Sequence, residues 1–272
     1  MSLLLCRQER VNRPYFMEAL GVHLYSSQEL SYVIYNHPLL VMDGFVDGLL
    51  LKFLREELNQ GVLVAKLERI LKNKDNTDDA LTIILQECDY YNSAEVSRFR
   101  KMVAMLRKKN PLDFKRMKAD ELFSLRQYGR AVELYKEILD CPGNVRVDPK
   151  FIGTVRNNLG SCYARMFRLD KALEAFEAAY EATGQIQVLK RMYNLSQLDE
   201  RLVLSDKLKG KITEEMKREW DNNLEKAKEK AAQSEAVQKL EELFRKDPVK
   251  RQAGEAALLR QWKQEYRHMA VD

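Results

Sequence analysis

The stretch NLGSCYARMFRLDKALEAFEAA, Asn158 to Ala179, decides the fold. Within it Gly160 is followed by Tyr163, and Ala172 by Phe176 and Ala179, at the three- and four-residue intervals that share one face of a helix. The residue types have a packing reason. Gly160 and Ala172 are small where two helices of a hairpin must approach closely, and Leu159, Tyr163, Phe176 and Ala179 fill the seam between them. The segment therefore reads as a helix–turn–helix whose two helices press together.

The pattern recurs along the chain. Upstream, Ala119 and Leu122 sit on a first helix, and Tyr128, Ala131, Tyr135, Ile138 and Leu139 follow on a second. Downstream, Asn194-Leu195-Ser196 echoes Asn158-Leu159-Gly160, while its second helix, over 201–208, lacks the small residue and is degenerate. On these residues the chain resembles the tetratricopeptide repeat (TPR) family over 112–208, with a Leu-Gly, a Tyr three on, then Ala-x3-Phe. The resemblance implies an all-α fold: a right-handed superhelix of helical hairpins with flanking capping helices. Its concave face, lined mainly by the first helix of each pair, would grip an extended peptide or a helix. Two departures stand out. Lys115 and Arg156 replace the signature Trp, and the closing Pro is replaced near Gly184. Ala131 and Ala172 are 41 residues apart, against a period of roughly 34. Cys141-Pro142-Gly143-Asn144 places the extra length in a loop over 140–149.

The flanks read differently. Aromatic and branched residues around Gly21 predict a short β-hairpin near the N-terminus, with the apolar run from Leu3 as a further candidate strand. Five helices follow. One is capped by Ser26 with Glu29 and stopped before Pro38; the next two span 45–58 and 62–72. A fourth is capped by Thr77 or Asp78, and a fifth opens after Asn92-Ser93 with Glu95 as cap. The apolar stripe Ile212, Met216, Trp220, Leu224 predicts one long helix running to Asp247-Pro248, and a last helix follows Pro248. The expected domains are an N-terminal region over 1–110, repeats over 111–209 and capping helices over 210–272.

Composition narrows the function. The 272 residues are 45% hydrophobic and 32% charged, with only 11 Gly and 6 Pro, as in a soluble helical protein. A net charge of +5 makes no general case for nucleic acid. The excess is local: residues 98–118 carry nine basic side chains and one acidic. Cys6, Cys88, Cys141 and Cys162 show no Cys-x-x-Cys spacing and read as reduced thiols, with Cys88 and Cys162 inside helix interfaces. The apolar start is too short for a signal peptide, and no stretch is long enough to span a membrane, so a cytoplasmic location is expected.

The peptide-binding candidates lie on the first helices of the repeats: Arg116, Asn157, Asn158, Arg165, Lys190 and Asn194. Asn158, Asn194 and Lys190 stand where some chaperone-binding TPR proteins clamp a terminal carboxylate. Asp120 breaks that clamp, because an acid there repels a carboxylate and weakens the cation beside it. A mildly basic groove preferring acidic peptides, including Arg191, is the remaining functional reading, against asparagines that merely bond to neighbouring backbone. Catalysis has no sequence support. His23, His37 and His268 are scattered, no phosphate-cradling Gly loop is present, and the loop from Asn73 lacks the sixth-position Gly and twelfth-position Glu of a calcium site. The expectation is a monomeric, non-catalytic adaptor or scaffold for a protein or peptide, without cofactor or metal. The alternative is a nucleic-acid-associated or regulatory protein using the 98–118 face, and a third reading builds an enzyme site within 1–110.

Overall fold

A computed structural model describes residues 11–72, 77–141 and 148–270. It is predominantly helical, with fifteen α-helices among the described residues and one two-stranded antiparallel sheet. The chain divides into two units, residues 1–125 and 126–272.

The first unit opens with β1 (Tyr15–Met17) and β2 (Val22–Leu24), paired so that Phe16 faces His23. Gly21, at φ +66°, supplies the left-handed turn residue between them. The apolar run from Leu3 lies outside the described residues. Helix α1 (Ser27–Asn36) starts where Ser26 accepts the Glu29 backbone N–H at 3.1 Å. Glu29 reaches back to the Tyr25 N–H rather than to Ser26 itself. Pro38 does stop α1, but it also opens α2 (Pro38–Val41), since its fixed φ suits a first helical turn. Helix α3 (Gly48–Lys52) begins later than the sequence suggests because Asp47 caps it, accepting from Leu50 N–H at 2.8 Å. Its continuation over Phe53–Glu57 is wound as a π-helix. Helices α4 (Gly61–Lys72), α5 (Thr77–Glu87) and α6 (Ser93–Arg107) follow, α6 with the full Asn92/Glu95 capping box. Helix α7 (Pro111–Ser124) closes the unit.

The core of this unit is aliphatic and aromatic: Leu30, Ile34, Leu54, Leu67, Ile84 and Phe99 are all fully buried. One polar knot lies at its edge. Arg107 donates to both Asp78 carboxylate oxygens, to Asp43 and to the Met42 carbonyl, each at 2.8 Å. The buried Asp78 bonds lift the Arg107 pKa further above its already high value, outweighing the partial burial that opposes it.

The second unit contains α8 (Tyr128–Leu139), α9 (Pro149–Arg165), α10 (Leu169–Thr183) and α11 (Ile186–Leu198), each packed on the next. The α9–α10 seam is the closest. A Cβ at Gly160 would lie 2.7 Å from the Phe176 ring, and one at Gly153 would strike the Thr183 methyl and lie 3.1 Å from the Ala182 Cβ. These two contacts fix an antiparallel register, and Ala172 and Ala179 are wholly buried along it. Gly184, at φ +64°, ends α10.

Beyond α11 the expectations need correction. The second helix predicted over 201–208 is reduced to α12 (Asp206–Lys209). The single long helix is two, α13 (Glu214–Ala232) and α14 (Glu235–Phe244), separated at Gln233-Ser234. No residue between Trp220 and Leu243 is buried, so tertiary packing does not hold the helix through a serine that favours a cap. Helix α15 (Pro248–Met269) starts on the predicted proline. It meets α14 where Gly254 leaves room for Leu243, and it buries no residue fully. Cys162 is buried as expected, whereas Cys88 is only half-buried, its thiol 3.9 Å from Gln60 Oε1.

Candidate functional site

Two turns of the chain share one backbone conformation. The turn after α7 runs through Leu125 (φ −84°, ψ 7°), Arg126 (φ 60°) and Gln127 (φ −86°, ψ 62°). The turn after α9 runs through Met166 (φ −91°, ψ 7°), Phe167 (φ 57°) and Arg168 (φ −90°, ψ 68°). These triplets share the 41-residue offset of Ala131 and Ala172. Arg and Phe are poor choices for a left-handed residue, so both turns hold a non-glycine residue in a costly conformation. Phe167 is also 82% exposed, a side chain with little packing of its own.

The candidate residues fall into three groups. Asn157, Asn158 and Arg165 lie on α9. Asn157 donates to Asn158 Oδ1 at 3.2 Å, and Arg191 of α11 donates to Asn157 Oδ1, tying the two helices together. The Arg191 guanidinium also rests 5.9 Å from the centre of the Phe176 ring. Arg165 stands exposed on the last turn of α9. Lys190 and Asn194, one turn apart on α11, form the second group. Arg116 is separate: it lies in the first unit, where it pairs with Asp120 at 2.9 Å. The acid that the sequence places against a carboxylate clamp therefore neutralises the cation beside it.

Lys190 meets an element that the repeat pattern does not reveal. Its ammonium is 3.6 Å from Glu219 of α13. Three residues along α11, the Tyr193 hydroxyl donates to Asp221 Oδ1 at 2.6 Å, and its ring lies 5.4 Å from that of Trp220. Burial, the Asp221 hydrogen bond and nearby carboxylates together push the Tyr193 pKa up to about 12. Trp220 is 4% exposed. Asn194 keeps its Oδ1 out of water with no hydrogen-bond partner among the described residues. The Trp220 stripe was legible in the sequence as a face that packs on the repeats, but the sequence did not say which residues of α11 Glu219, Trp220 and Asp221 meet.

A separate groove of about 400 Å³ opens between α8, α9 and α10, walled by Leu139, Leu159, Tyr163 and Ala175 with Arg156 and Lys171 at its margins. Arg156 donates to the Ala178 carbonyl at 3.5 Å, so a cation stands at the wall of this groove.

In the first unit, the four arginines of the basic run over 98–118 each lie near a carboxylate. Arg98 lies 3.9 Å from Glu95, Arg100 3.5 Å from Asp79, and Arg107 is held by Asp78 and Asp43. Lys101, Lys108 and Lys109 are exposed. The histidines are dispersed: His37 Nδ1 is 2.8 Å from Glu121, and His268 Nε2 is 2.8 Å from Gln127. No cluster of three His, Cys, Asp or Glu that could hold a metal occurs among the described residues. No described helix is long and apolar enough to cross a membrane. Compared with known protein families, with curated proteins and with solved structures, the chain has no significant match.

Proposed function

We propose that this protein is a non-catalytic adaptor that binds a protein or peptide along the α9 and α11 face of a short TPR-type array. The observation that carries the reading is the run of four helices α8, α9, α10 and α11, each packed on the next, with the α9–α10 seam closed by Gly160 against Phe176. Consecutive helices stacked each on the next are how solenoid arrays generate an extended surface for another chain. The glycine and alanine seam of α9 and α10 supports it, because the seam is closed by small residues and Arg165 stands exposed on the last turn of α9. Asn158 and Arg165 are the residues of that face best placed to meet a ligand, and the Arg165 charge favours an acidic one.

The reading is tested by affinity capture with the full chain. Arg165→Glu with Asn158→Asp should lose a partner that the wild type and Glu181→Lys, on exposed α10 surface, both retain. An unchanged partner set would overturn the assignment of this face. The nucleic-acid reading is favoured less because its four arginines are committed to carboxylates. RNA or DNA affinity falling steeply with salt would restore it.

A further inference from the structure

We infer that the Lys190–Tyr193 face of α11 is a recognition surface for an acidic helix carrying a central tryptophan, and that α13 occupies it in cis as a ligand of its own chain. This deepens the adaptor reading and rests on it. The three residues that engage the face are consecutive, Glu219, Trp220 and Asp221. On a helix, neighbours of a central residue point about 100° to either side. One tryptophan can therefore insert while the two flanking carboxylates each take one partner, Glu219 the Lys190 ammonium and Asp221 the Tyr193 hydroxyl.

The seat is local. Trp220 is the sole fully buried residue of α13; Ile212, Met216 and Leu224 are half-buried around it, and from Glu225 to Ala232 every residue is exposed. A helix built permanently into a core buries a continuous stripe. This one makes contact over Met216 to Leu224, about two turns of its nineteen residues, with Glu219 itself 68% exposed. The chemistry resembles a peptide docked in a groove: an aromatic anchor at the centre, with charge pairs at the rim. Asn194 adds a reason for a partner to displace it. Its Oδ1, one turn from Lys190, is buried and accepts no hydrogen bond from a described residue, so a ligand bringing an N–H there gains a bond that α13 does not make. Tethering gives α13 an effective concentration on the order of millimolar, so a free competitor acts weakly until the cis contact is loosened.

The experiment uses the full chain and a fluorescein-labelled peptide of residues 213–231, followed by anisotropy. Glu219→Lys/Trp220→Ala/Asp221→Lys should release α13, keep the array folded by far-UV circular dichroism, and bind the peptide at least tenfold more tightly than the wild type. Adding Lys190→Glu should abolish that gain, and a peptide carrying Glu219→Lys should recover part of it. Collapse of the array in the triple variant would make α13 a fixed part of the core and overturn the inference, as would a folded triple variant that binds no better than wild type. If the inference fails while the Arg165 and Asn158 substitutions still remove a captured partner, the adaptor reading stands without this site.

Discussion

Gly160→Ala measures directly whether α9 and α10 touch backbone to ring. The new Cβ would sit 2.7 Å from two carbons of the Phe176 ring and 3.1 Å from a third, where carbon pairs rest at about 3.5–4.0 Å. The ring would have to retreat by about 1 Å, and at 2% exposure Phe176 is enclosed. Overpacking of this kind costs about 1–3 kcal/mol. Against it, replacing a mid-helix glycine by alanine returns about 1 kcal/mol of helix propensity. The net expectation is a loss of about 1 kcal/mol, where an unobstructed helical glycine would show a gain of similar size. Phe176→Leu should make room, so the double variant should be more stable than the sum of the single effects by about 1 kcal/mol or more. Urea unfolding followed by tryptophan fluorescence suits the question, because Trp220 and Trp262 are both in the second unit. With a urea slope of about 1–3 kcal/mol per molar, the midpoint should fall by about 0.3–1 M. A rise in midpoint for Gly160→Ala would refute the close-approach argument.

Three further outcomes follow from particular contacts. Arg107→Met leaves the buried Asp78 carboxylate without its main partner and should destabilise the first unit by about 2 kcal/mol in thermal melts. That is below the full cost of breaking a buried pair, because the guanidinium is partly open to water. Phe167→Gly should stabilise the second unit by about 1 kcal/mol, since φ +57° is strained for Phe and its exposed ring gives up little packing; an unchanged urea midpoint would mean that the turn carries no strain. Tyr15, Tyr91 and Tyr193 all have pKa values raised to about 12, chiefly by burial. Each holds its proton more tightly folded than unfolded, so its contribution is complete below pH 10 and is lost between pH 10 and 12 as the unfolded chain ionises first. Tyr193→Phe should flatten that alkaline fall in stability, and an identical pH profile would contradict it.

Local signals were read well where the physics is local. Ser26, Asn92 and Pro248 were legible as helix starts because a cap or a fixed φ acts within one turn, whereas Pro149, read as loop, opens α9. The π-helical stretch after Lys52 and the break at Gln233-Ser234 were not readable, because each depends on what the helix is packed against. The candidate site divides the same way. Asn157, Asn158 and Arg165 could be placed on one helix by spacing. The Arg191 bond to Asn157 and the seating of Glu219, Trp220 and Asp221 on α11 join residues about thirty apart, and no periodicity records them.

The sequence by itself determined that this chain is helical, where its small residues let two helices close on each other, and which positions of α9 stay polar. These follow from side-chain size and three- and four-residue spacing, which any segment carries with it. Only the tertiary structure decided that Arg100 and Arg107 meet carboxylates of other segments, and that Lys190 and Tyr193 already hold a helix from the same chain. Charges and aromatics find partners through space, and a partner distant in sequence leaves no mark on the pattern around either residue.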